Sequence, residues 1–136
     1  MGSMTKQVWM AAIAVSALAF VGYSSRASAL PVVSQESRFS QIDEIKAAAE
    51  QGNAEAQNRL GFNYDWGAGV PQDSERAVYW FTKAAEQGFS EAQYNLGVMY
   101  YLGRGVPQEP ARAVYWWIKA AKQGSAAAQF SLNLMR

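Results

Sequence analysis

The chain has 136 residues, about one domain's worth, with 12 Lys and Arg against 11 Asp and Glu. That balance leaves no global field to draw nucleic acid or anionic lipid. His and Cys are both absent, which excludes disulfides, thiol nucleophiles, the ordinary zinc ligand sets and every catalytic triad built on His.

In chain order, the first segment is unlike the rest. Residues 8–23 follow Lys6 without a single charge, and Ser24-Ser25-Arg26-Ala27-Ser28-Ala29 comes next. A short basic start, an apolar stretch and the small-x-small triplet Ala27-Ser28-Ala29 predict a signal peptide over residues 1–29, cleaved before Leu30. An uncleaved anchor is the competing reading, although a membrane span needs about 20 apolar residues. The expected location is therefore periplasmic or secreted. Membrane contact is expected only if residues 8–23 stay on the mature chain. Residues 30–38 show no periodicity and read as an N-terminal arm, with a helical repeat domain over residues 39–136.

Phe39 opens the stretch FSQIDEIKAAAEQG, in which Ile42, Ile45 and Ala49 share one helical stripe and Gly52 is the stop. The spacing predicts a capping helix that starts near Ser40 or Gln41. Then the chain repeats itself. Residues 49–84 and 85–120 align without a gap, 22 of 36 positions are identical, and residues 121–136 begin a third, truncated copy. A catalytic phrase rarely needs duplication, but a stacking phrase does, because one repeat cannot bury its own apolar face.

Each copy divides into two helices. Asn53 can cap the first, which runs to about Trp66 with Ala56, Leu60 and Tyr64 on one face. Gly67-Ala68-Gly69 stops it, and Val70-Pro71 makes a rigid turn. Asp73 can cap the second, whose packing side is Ala77, Trp80 or Phe81, and Ala84, with Gly88 at its end. In the second copy Ser90 fits the cap position only approximately. Pro110 stands at the start of the next helix, where its missing N–H costs little, and Ala113, Trp116 and Ala120 repeat the packing side. The third copy supplies only a first-type helix. Its Leu132, Leu134 and Met135 would lack a covering partner, so self-association through this C-terminal helix is a further expectation.

The pattern A-x-x-x-L-G-x-x-Y-x-x-G-x-G-V-P-Q followed by A-V-Y-W-x-x-K-A-A-x-x-G resembles the Sel1-like repeat. It reads here from Ala56, Leu60, Gly61 and Tyr64 through Gly67, Gly69, Val70, Pro71 and Gln72 to Lys83 and Gly88, and again from Ala92 to Gly124. The third copy departs from it, with Asn133 at the Gly61 position and Arg136 at the Tyr64 position. The resemblance implies an all-α fold, a short right-handed solenoid of antiparallel helix pairs related to tetratricopeptide repeats. It also implies adaptor work in protein complexes. The disulfide-clamped secreted relatives with β-lactamase-like activity lend no support to that activity here, because the Cys pairs are missing.

Differences between the copies point to a face that stacking leaves free. On a wheel of about 100° per residue, Ala56, Gln57, Leu60, Gly61 and Tyr64 fall on one side and are unchanged in the second copy. Asn58, Arg59, Phe62, Asn63, Asp65 and Trp66 fall opposite and all change, while Glu55 is the one residue kept on that variable arc. The partner-binding candidates are Asn58, Arg59, Phe62, Asp65 and Trp66, with Tyr94, Val98 and Tyr101 from the second copy. Trp117 joins them as a protruding anchor. Such a surface suits a protein or peptide.

Other chemical signals are weaker. Gly67-Ala68-Gly69 and Gly103-Arg104-Gly105 lack phosphate-binding spacing, and Arg104 reads as a solvated turn residue. Glu50, Glu55, Glu86 and Glu91 recur as exposed repeat positions rather than as a carboxylate pair across a cleft. The expectation is a non-enzymatic exported adaptor with no cofactor, no metal and no nucleic-acid partner. A cell-wall-modifying hydrolase and a structural assembly protein stand as alternatives.

Overall fold

The computed structural model describes residues 29–136. The expected signal peptide and its apolar stretch fall on residues outside that range, apart from Ala29. Helix α1 spans Ala29–Glu50, α2 Ala54–Trp66, α3 Ser74–Glu86, α4 Ser90–Leu102, α5 Pro110–Lys122 and α6 Ala126–Leu134. Two units divide the chain, residues 1–39 and residues 40–136. In the first, the described residues 29–39 are helical. Residues 30–38, expected as an arm without periodicity, therefore belong to α1. No glycine interrupts the chain from Ala29 to Glu50, and Pro31 lies in the first turn, where an N–H has no helical acceptor to lose. Among the described residues no helix is long and apolar enough to cross a membrane.

The second unit is a solenoid of paired antiparallel helices. From α2 onward each helix packs on the next, α2 on α3, α3 on α4, α4 on α5 and α5 on α6. Alanines set the approach. Ala77, Ala84, Ala92, Ala113, Ala120 and Ala128 have no exposed surface at all, so the helices meet at these positions. Leu60, Phe81, Leu96 and Met99 fill the space between them, with Ile42 and Ala49 closing the near end from α1. A second cluster, Ala113, Trp117, Ala120 and Ala128, continues the core toward α6.

Helix ends follow the expected chemistry in most places. Asn53 Oδ1 accepts the Ala56 N–H at 2.9 Å, and Asp73 Oδ1 accepts that of Arg76 at 3.0 Å. Pro110 is the first residue of α5. Ser90 turns out to be the first residue of α4 rather than its cap. Phe89 holds that place and makes no side-chain capping bond. The glutamine that follows Pro in both copies is structural. Gln72 Nε2 donates to the Asp65 carbonyl at 3.0 Å and Gln108 Nε2 to that of Tyr101 at 2.8 Å. Each satisfies a carbonyl that the end of a helix leaves without an N–H.

The copies are clasped together by buried amides. Gln57 Nε2 donates to the Ala49 carbonyl at 3.1 Å and its Oε1 accepts from Gln87 Nε2 at 2.7 Å. One repeat later Gln93 donates to the Ala85 carbonyl at 3.1 Å and accepts from Gln123 at 2.8 Å. A buried amide is stable only when paired, and the same pairing at the same register makes Gln57 and Gln93 part of the stacking code.

Candidate functional site

Helices α2 and α4 lie side by side and run in the same direction. Two contacts show it, one in the first half of each helix and one at or just beyond its end. Asn95 Nδ2 donates to Asn58 Oδ1 at 3.0 Å, and Arg104, just beyond α4, reaches Asp65 near the end of α2 at 2.7 Å. Arg59 and Phe62, both exposed, fall between the α2 partners of these contacts along the helix.

The nine candidates separate by burial. Phe62 is 50% exposed, Trp66 65% and Tyr101 41%, and Arg59 is exposed as well. Tyr94 and Val98 are half-buried. Asn58 and Asp65 are buried and already bonded to the next repeat. Trp117 does not protrude. It is 3% exposed, its indole N–H donates to the Tyr94 carbonyl at 3.2 Å, and its ring lies 6.5 Å from Tyr94 and 5.6 Å from Tyr101 between centroids. It occupies the place of Phe81 one repeat later. Gly97 makes that possible, because a Cβ there would collide with the indole, as one at Gly61 would with Phe81 at 2.7 Å. The exposed aromatics of the second-type helices are Tyr79 and Tyr115 instead.

Arg104 is the residue that sequence reasoning undervalued. It is no solvated turn residue, since its guanidinium neutralises the Asp65 carboxylate with side chains 36% and 10% exposed. The signal was present. Asp65 stands opposite Tyr101 and Arg104 opposite Ala68 in the alignment, so two opposite charges change together, 39 residues apart. Partial exposure keeps the pair's worth to about 1 kcal/mol or less.

Away from this face, Arg76 donates to the Tyr64 hydroxyl at 3.4 Å and Arg112 to that of Tyr100 at 3.1 Å. These hydrogen bonds are the main cause that raises both guanidinium pKa values. Attraction to Tyr64 and Asp73 adds to it in one case, to Glu109 and Tyr100 in the other. A raised folded pKa stabilises below the ordinary value, so both groups stay charged and contribute no pH step in the working range. Among the described residues no group of His, Cys, Asp and Glu could hold a metal ion.

The Sel1 repeat matches residues 54–89 and 90–125, more than half of the chain. A search of the curated proteins gives no match. Among solved structures, a Sel1 repeat protein from Oxalobacter formigenes is 42% identical over 68% of this chain and 27% of that one, with a TM-score of 0.66. A protective antigen present in uropathogenic Escherichia coli strains, displaying an SLR fold, is 45% identical over 69% of this chain and 20% of that one, with a TM-score of 0.67. Cysteine-rich protein B of Helicobacter pylori is 28% identical over 64% of this chain and 65% of that one, with a TM-score of 0.61. The chain thus spans about a quarter and a fifth of the length of the first two. The fold is a tetratricopeptide-like helical solenoid, of a kind typical of protein–protein interaction. With two full repeats in unbroken register and matching solved relatives, this chain belongs to the Sel1 repeat family.

Proposed function

We propose that the protein is an exported adaptor that binds a protein or peptide through the exposed edge of α2 and α4. The observation that carries this reading is the set of large side chains left in water there. Phe62 and Trp66 are at least half exposed, with ring centroids 6.0 Å apart, and Tyr101 and Leu102 continue the patch at 41% and 52%. Helices held by paired amides and close alanine contacts present that patch without first having to order it, which lowers the entropy cost of binding. Aromatic anchors on such a rigid face are the usual carriers of interface energy.

Crosslinked recovery of partners from the native envelope tests the surface. The double substitution Phe62→Ser and Trp66→Ser is expected to lower recovery of a specific partner about tenfold or more while helicity is unchanged. Equal recovery with the unaltered chain would reject this face.

Export rests on the uncharged stretch of residues 8–23 and the triplet ending at Ala29. Intact-mass measurement of the exported protein should find a chain that begins at Leu30. A mass that retains the apolar stretch would replace the cleaved signal with an anchor.

A further inference from the structure

The exposed stripe of α2 and α4 has two lanes. Toward the helix ends lie Phe62 and Trp66 on α2 and, at the same positions one repeat later, half-buried Val98 and exposed Leu102 on α4. Toward the helix starts the same stripe carries Glu55 and, one repeat later, Glu91, both exposed. Neither carboxylate forms an ion pair among the described residues. Arg59 is the single exposed cation of the stripe, because Arg104 is neutralised by Asp65, so the stripe is net negative. Seven residues of helix separate Glu55 from Phe62, about 10 Å along the axis. That separation matches the width of a helix with its side chains, about 10–12 Å.

We infer that the occupant of this face is an amphipathic helical segment with an apolar edge and a basic edge. It would lie across α2 and α4, with its apolar edge on Phe62, Trp66, Val98 and Leu102 and its Lys or Arg side chains toward Glu55 and Glu91. Charge complementarity selects the partner. The register supports it as well, since Glu55 is the one residue of the variable arc that does not vary. An acid in the first helical turn is also favourable to the helix itself, so the test must separate recognition from stability. The inference rests on the adaptor reading above and adds the chemistry of the partner to it.

The probe is a library of random 20-residue peptides displayed on phage, selected against the purified chain at low and at high salt. Recovered peptides should combine apolar residues with Lys and Arg, and the basic preference should fade at high salt. Glu55→Lys with Glu91→Lys should weaken those peptides about fivefold to tenfold and select acidic ones instead, with the fold retained by circular dichroism. Glu55→Gln with Glu91→Gln should remove the charge preference without reversing it. Peptides that lose affinity for the Phe62→Ser, Trp66→Ser variant but show no charge preference would overturn this inference and leave the face standing. Peptides indifferent to that variant, or no enrichment at all, would overturn both.

Discussion

Trp117→Ala should cost about 3–5 kcal/mol of unfolding free energy, the range found when a buried tryptophan is truncated. The indole is 3% exposed, seated against Gly97 and flanked by the rings of Tyr94 and Tyr101. Its removal opens a cavity where α4, α5 and α6 meet, with Ala113, Ala120 and Ala128 too small to close it. A domain of this size holds only about 5–15 kcal/mol in total, so the variant approaches the edge of folding. Trp117→Phe keeps much of the packing and loses the bond to the Tyr94 carbonyl, which should cost less than the alanine change. Tyr115→Ala, 52% exposed two residues earlier, should fall within about 0.5 kcal/mol of the unaltered chain. Urea unfolding of the three variants checks the order. If Trp117→Ala and Tyr115→Ala behave alike, Trp117 is not part of the core and counts again as a surface anchor.

Gly105→Ala is expected to be about as damaging, near 3 kcal/mol or more, for two reasons that add. The residue has φ +69, where a side chain meets its own carbonyl at about 1–2 kcal/mol. A Cβ there would also collide with the Ser74 carbonyl and lie 2.9 Å from the Glu75 nitrogen. That second contact is backbone at the start of α3, in the preceding repeat, and cannot swing away as a flexible side chain could. Gly88→Ala is the control. Its φ is +88, but nothing lies within 4 Å of the added carbon, so only the conformational strain should appear. Thermal and urea unfolding of the two variants separates the terms. Equal losses would mean that Gly105 serves its own turn and not the close stacking of one repeat on the next.

Much of the architecture is written in the register of the repeat. Alanine, leucine, glycine and proline recur every 36 residues because every repeat must offer its neighbour the same surface, and that demand acts on each residue type directly. Helix caps at Asn53 and Asp73 are equally legible, since capping is local chemistry between residues three apart. The start of α1 is less legible. Residues 30–38 have no amphipathic period, yet a helix needs only the absence of a breaker when it continues from a packed segment.

The candidate face is legible as an arc and not residue by residue. Variation between copies marks positions exempt from the shared stacking rule, but a position can vary for either of two reasons. Phe62, Trp66 and Tyr101 vary because they face water. Asn58, Asp65 and Trp117 vary because each makes a contact that the other copy lacks: Asn58 with Asn95 and Asp65 with Arg104 in the next repeat, and Trp117 with the Tyr94 carbonyl and the Tyr101 ring within its own repeat. A wheel measures angle around one helix and holds no information about what the next helix brings to that angle. The chain order therefore decides the fold, the capping and the register, which depend on neighbours in sequence and on periodic burial. Which of the variable side chains remain open to a partner is decided only when neighbouring helices pack, because burial is a property of the pair.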